Sequence, residues 1–297
     1  MTNKTKGILL IIAAAFFFSL MNTFVKLSGD LPSIQKSFFR NFVAFFISLF
    51  LLIRSNEKLN FDKKNLPLLI LRAICGTFGI LCNFYAVDNL LLSDASMLSK
   101  LAPFFAILAS FLILKEKVKP AQAFSILIAF VGSLFIIKPD IANFSASMPA
   151  LIGATGAMFA GTAYTLVRRL GSKGERSSFI VFFFSSFSCL VTLPFLVLNY
   201  HPMTLLQLSF LIMAGISASI GQFAITNAYM LAPAREISVF DYTQVIFAAI
   251  TGFILFEQFP DNYSFIGYGI ICSVAIFTFF KNKPETEALS NGSNHIL

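Results

Sequence analysis

Two ionisable residues sit where apolar sequence ought to exclude them. Lys100 lies in Ser96-Met97-Leu98-Ser99-Lys100-Leu101, within one apolar run, and Asp241 lies within another, 141 residues on. A charge at the centre of a membrane helix costs roughly 2.5–3.5 kcal/mol even on the most lenient scale, so each is a functional-site candidate by default. A cation and an anion held this way suit a zwitterion, with carboxylate against Lys100 and amine against Asp241. They also suit an internal salt bridge that opens when substrate arrives. The alternative is snorkelling to the nearer interface, which the long Lys stem permits and the short Asp does not. Asp241 is the first candidate for proton coupling, because neither His201 nor His295 falls in an apolar run. Asp88, near the outer end of the third run, is the second candidate, against a plain reading as a solvated helix-end residue.

Neutral polar side chains able to line the same cavity are Asn22, Asn83, Tyr85, Tyr164, Gln222, Asn227, Tyr242 and Gln244. Some of them are expected to bond neighbouring helices instead. Arg40 and Arg72 begin or flank apolar runs and are assigned to interfacial anchoring or a helix end in preference to an anion clamp. Arg235-Glu236 reads as a local ion pair in preference to a cytoplasmic gate, and Glu116 and Glu257 read as marks of an internal repeat.

The elements that hold these residues follow from composition. The 297-residue chain is 57% hydrophobic and only 12% charged, with 38 Phe and no Trp, and its mean hydropathy is +0.81. A soluble domain carries about twice that charged fraction, so a soluble enzyme is excluded. Ten apolar runs are expected as spans: about 7–25, 34–53, 66–87, 95–114, 120–137, 149–167, 178–198, 205–229, 237–256 and 264–280. The first, though preceded by Lys4 and Lys6, continues to Val25 without a small-x-small cleavage site and is read as a span, not a signal peptide. Alternate ends of the runs hold sixteen and four Lys or Arg residues. That asymmetry predicts both termini in the cytoplasm and accounts for the net charge of +8 without a nucleic-acid partner. The segment 284–297 is expected to be a disordered cytoplasmic tail.

A shift of 142 residues lays Thr23-Phe24-Val25-Lys26 over Thr165-Leu166-Val167-Arg168, Ala86 over Ala228 and Ser96 over Ser238. The expectation is two five-span repeats, 1–138 and 149–281. Five is odd, so the second enters the bilayer inverted. Inverted repeats are the architecture of alternating-access carriers, with the site near the midplane between the repeats. Small residues recur every fourth position at Ala121, Ser125, Ala129 and Ser133, and at Gly153, Ala157 and Gly161. These are expected as close helix seams, the first also as a possible homodimer contact. The four cysteines lack CxxC spacing and read as buried free thiols. No Walker or dinucleotide pattern occurs, so no ATP motor or nucleotide cofactor is expected.

At this level the chain resembles the EamA-type branch of the drug/metabolite transporter superfamily over residues 7–281. The resemblance rests on Phe39-Arg40-Asn41, on Arg72 with Gly76 and Gly79 leading to Phe84-Tyr85-Ala86, on Pro103 ahead of Glu116-Lys117, and on Asp241-Tyr242 running through Gly252 to Glu257. The second half reads Phe256-Glu257-Gln258 and lacks a counterpart of Pro103. Within the family the chain is similar to the subgroup that includes S-adenosylmethionine uptake carriers. The resemblance implies an ion- or exchange-coupled carrier of a small metabolite in the cytoplasmic membrane, with an exporter of drugs or organic cations as the alternative. A channel would need rings of like residues. A membrane enzyme would need a nucleophile–base arrangement that the runs do not contain.

Overall fold

The structure, a computed structural model, describes residues 3–54, 62–115, 120–138, 144–232 and 237–281. All regular structure among them is helical. Eight helical segments are long and apolar enough to cross a membrane, accompanied by two shorter apolar helices, Ala123–Ile137 and Asn262–Phe277. The outer surface bears side chains that water would not tolerate in such number, such as Phe50 (61% exposed), Leu190 (70%) and Leu198 (79%). In hydrocarbon, helices are the natural solution because each satisfies its backbone polar groups internally.

The first half comprises α1 (Asn3–Leu27), α2 (Ser33–Arg54), α3 (Leu66–Asn89), α4 (Leu92–Ser99), α5 (Ala102–Ala109) and α6 (Pro120–Ile137). The second comprises α7 (Phe144–Ser172), α8 (Ser177–Leu198), α9 (Leu205–Leu231), α10 (Thr243–Phe256) and α11 (Asn262–Lys281). The most extensive helix pairings join the halves: α1 with α9, α3 with α7, α2 with α8 and α6 with α11.

The expected single span over 95–114 is in fact interrupted. Pro103, lacking an N–H and crowding the carbonyl four residues earlier, prevents α4 from running on. Lys100 and Leu101 instead bond three residues back, to the Met97 and Leu98 carbonyls. α5 then ends in a π turn, Ser110–Leu114, and Lys115 in the left-handed region (φ 56°). The Ile113 carbonyl of that turn accepts from Arg169, which belongs to the long helix α7 and not to the loop expected there. The opposite half repeats the interruption without a proline. A 3-10 turn, Ser238–Tyr242, precedes α10, which ends at Glu257 in the left-handed region (φ 52°). The Gln258 side chain after it accepts from the Leu92 N–H at the start of α4, so the end of one broken span caps the start of the other.

Close helix approach explains the small residues. A Cβ on Gly161 would collide with the Ala102 carbonyl oxygen, and one on Gly156 would lie 2.8 Å from the Cys82 Cβ. The Ser125, Ala129 and Ser133 seam is buried within the chain. Next to it, a Cβ on Gly132 would meet Ile270 and Ile271 of α11 at 2.8–3.1 Å.

Candidate functional site

The two interruptions cross. Because Phe104 bonds back to the Leu101 carbonyl, the Lys100 carbonyl is left without its helical partner, and it accepts from the Tyr242 hydroxyl at 3.0 Å. A buried carbonyl has to find a donor somewhere, and the donor is the residue 142 positions on. The side chains meet there too. Lys100 Nζ donates to Asp241 Oδ2 at 2.7 Å and to Gln244 Oε1 at 2.6 Å, with Lys100 3% and Asp241 4% exposed. Neither residue snorkels. Lys100 and Asp241 form one ion pair and do not approach the cavity separately from its two ends. Asp241 Oδ1 has no hydrogen-bond partner among the described residues.

Beside this pair lies a cavity of about 100 Å³ walled by α1, α2, α3, α7, α8, α9 and the two interruptions. Lys100, Asp241, Gln244, Gln222, Asn22, Asn83 and Tyr164 all line it. Asn83 donates to Asn22 Oδ1 at 3.1 Å, which ties α3 to α1. Tyr164 stacks on Tyr229, with ring centroids 4.7 Å apart. Tyr242 stands behind the cavity and holds the Lys100 backbone. Two expected lining residues do not take part. Tyr85 is 37% exposed and does not line the cavity, and Asn227 donates to the Phe223 carbonyl of its own helix at 2.9 Å. Both sit on helices with a cavity-facing side, but on the wrong face.

The larger departure concerns Arg40 and Arg72, which are neither interfacial anchors nor helix-end partners. They are 1% and 2% exposed and both line the cavity. The Arg72 guanidinium lies over the Phe184 ring at 3.9 Å from its centroid, and that of Arg40 lies 5.7 Å from the same ring. Arg40 donates to Asn41 Oδ1 at 2.5 Å and distantly to Gln222. Asn41 is in turn fixed by its own donation to the Ser37 carbonyl and to Ser188 Oγ of α8.

Asp88 is not a simple solvated residue. It accepts from Lys36 at 2.5 Å and from Ser33 at 3.3 Å, with its side chain 21% exposed. Lys26 nearby donates to the Val87 and Leu90 carbonyls that end α3. Glu116, Arg235 and Glu236 lie outside the described residues.

Residues 5–138 and 147–280 each match the EamA-like transporter family. The chain is 31% identical over 279 residues to a pseudopaline exporter of Pseudomonas aeruginosa, covering 93% of this chain and 96% of that protein. It is 31% identical over 192 residues to a riboflavin transporter of Vibrio cholerae (62% and 61% covered). It is 25% identical over 282 residues to human solute carrier family 35 member G1 (91% and 77% covered). A solved crystal structure aligns over 94% of this chain and 99% of its own with a TM-score of 0.72 at 14% identity, a likeness of fold alone. The chain is a multi-pass membrane protein and belongs to the EamA-like transporter family.

Proposed function

We propose that this chain is a secondary transporter of the cytoplasmic membrane, moving a small polar metabolite by alternating access. Its ten spans form two inverted repeats, 1–138 and 149–281, with both termini in the cytoplasm. The observation that carries this reading is the buried Lys100–Asp241 pair at the crossing of two interrupted spans. A buried ion pair is held in place only while both partners are present. A substrate bearing a carboxylate and an amine can replace each partner in turn, exchanging one satisfied arrangement for another. That gives the bundle two states of comparable energy, as alternation requires. Amino acids and amine-containing derivatives such as S-adenosylmethionine fit this description. Gln244, Gln222, Asn22, Asn83 and Tyr164 orient the rest of the molecule.

Coupling runs through Asp241. Released from Lys100, its carboxylate either takes a proton or waits for the next substrate, so proton coupling and exchange share one residue. The alternative of an organic-cation exporter is disfavoured because a cation without a carboxylate has no group to take Asp241's place against Lys100. A channel is disfavoured because the cavity has opposite charges in contact and no rings of like residues. The test is Asp241→Asn in proteoliposomes with an imposed gradient. Accumulation is expected to be abolished while the protein remains folded by circular dichroism. Full accumulation by the variant would remove Asp241 from the coupling step.

A further inference from the structure

The Lys100–Asp241 pair leaves the cavity with two cations that it does not balance. No carboxylate forms a salt bridge with Arg40 or Arg72 among the described residues. Arg72 Nε and Nη1 and Arg40 Nε are buried without any hydrogen-bond partner among those residues. Buried donors are nearly always satisfied, and guanidinium groups especially so, because the low surrounding dielectric makes an unmet charge costly. Two such groups leaning on one aromatic ring are a built feature, not an accident of burial. The Phe184 face gives each partial cation–π compensation, which is weaker than a charge-assisted hydrogen bond to an oxyanion. Arg72 Nε and Nη1 and Arg40 Nε remain unspent.

The backbone is shaped to keep them so. A Cβ on Gly76, one turn beyond Arg72 on α3, would lie 2.6 Å from Arg72 Nη1 and 2.7 Å from a Phe184 ring carbon. Glycine at that position is what lets the guanidinium lie over the ring at the cavity wall. On the other side, Asn41 bridges α2 to α8 and holds Arg40 by one nitrogen, leaving Nε free. The arrangement also breaks the repeat. Shifted by 142, the positions of Arg40 and Arg72 are occupied by Phe182 and Ala214, so one half supplies both cations and the other supplies the ring that both approach.

We propose that Arg40 and Arg72, seated on Phe184, form an oxyanion subsite, and that the transported molecule carries a carboxylate or phosphate group beyond the one its amine balances. Guanidinium is the side chain suited to planar, charge-assisted recognition of such groups. The inference rests on the carrier reading above. It narrows the substrate class from zwitterions in general to amine-bearing metabolites of net negative charge. S-adenosylmethionine, whose sulfonium adds a positive charge, falls outside it.

The test uses the full-length protein purified in detergent and then reconstituted. Thermal stabilisation is read with L-glutamate, O-phospho-L-serine, inorganic phosphate, L-alanine and S-adenosylmethionine, and counterflow is read with labelled glutamate and alanine. Glutamate or phosphoserine is expected to raise Tm and alanine to leave it unchanged. Which of the two does so separates a carboxylate from a phosphate as the natural group. Stabilisation by inorganic phosphate alone, with no amine-bearing anion bound, would reduce the subsite to adventitious ion binding and overturn the proposal.

In Arg72→Gln the apparent affinity for the stabilising anion is expected to fall at least tenfold. Because truncating a buried cation risks misfolding, Gly76→Ala is the second variant. It keeps the charge and displaces the guanidinium from Phe184, and the same anion is expected to weaken several-fold. Equal behaviour of glutamate and alanine, or an anion affinity unchanged in both variants, overturns the oxyanion subsite. Counterflow with alanine in that case would leave the carrier reading standing, whereas loss of counterflow with every probe would remove both.

Discussion

The Lys100–Asp241 and Lys138–Asp261 pairs close to the same 2.7 Å, yet they do different work. The first has side chains 4% and 6% exposed, and the second 42% and 49%. At the exposed pair, water solvates each ion whether or not the other is there, so contact adds about 0–1 kcal/mol and salt screens it. At the buried pair, each ion depends on its partner, and removing one leaves an uncompensated charge costing about 3–5 kcal/mol. Equal geometry therefore gives a surface tie in one place and, in the other, a pair whose members depend on each other. The proposed exchange of partners with a substrate needs the buried pair, because only there does losing a partner cost enough to favour a replacement.

A mutant cycle breaks this comparison most sharply. Asp241→Asn or Lys100→Met alone is expected to lower stability by about 3–5 kcal/mol, while the double variant recovers most of that loss. Chemical denaturation in detergent reads the difference, and simple additivity would deny that the two residues act as a unit. Next in size is Tyr242→Phe, which deprives the freed Lys100 carbonyl of its donor. An unsatisfied buried acceptor costs about 1–3 kcal/mol, measured as a fall in denaturation midpoint against the parent protein. The smallest effect belongs to Lys138→Met, which should cost less than about 1 kcal/mol and nothing measurable at high salt.

Acid sharpens the contrast further. Asp261, hydrogen-bonded by Lys138 and by the Ser264 N–H, is held down to about 2. A folded value below the unfolded one stabilises fully above the ordinary carboxylate range near ~4, and that stability is lost as pH falls toward 2. Because Asp261 is so exposed, screening shrinks the effect to a shallow slope in Tm across that window. A steep acid transition removed by Asp261→Asn would contradict the assignment of this pair to the surface.

Composition exposed the membrane class and the constant offset pointed to the repeat. For Lys100 and Asp241 the sequence left open opposite ends of one cavity or a single salt bridge, and the structure has the latter. It concealed the break in the fourth span, since hydropathy does not register a missing helical bond. Pro103 was the visible cue, yet the matching break before α10 has no proline and could not be read that way. Tyr85 and Asn227 lie off the lining of the cavity, since a polar residue's type says nothing of which helix face it occupies. Arg40 and Arg72 are hard to place from sequence for a different reason. Each stands near the start of its apolar run, which suggested an interface, but each lies about two turns inside its helix. Gly76, one turn beyond Arg72, marked a close approach whose partner only the fold could reveal.

The most direct measurement is solute counterflow in liposomes loaded with an unlabelled amine-bearing metabolite and given the labelled counterpart outside. A carrier that reorients around Lys100 and Asp241 is expected to give a transient overshoot of label, saturable in substrate and absent in Asp241→Asn. Monotonic equilibration that rises linearly with concentration and survives Asp241→Asn would contradict alternating access through this site.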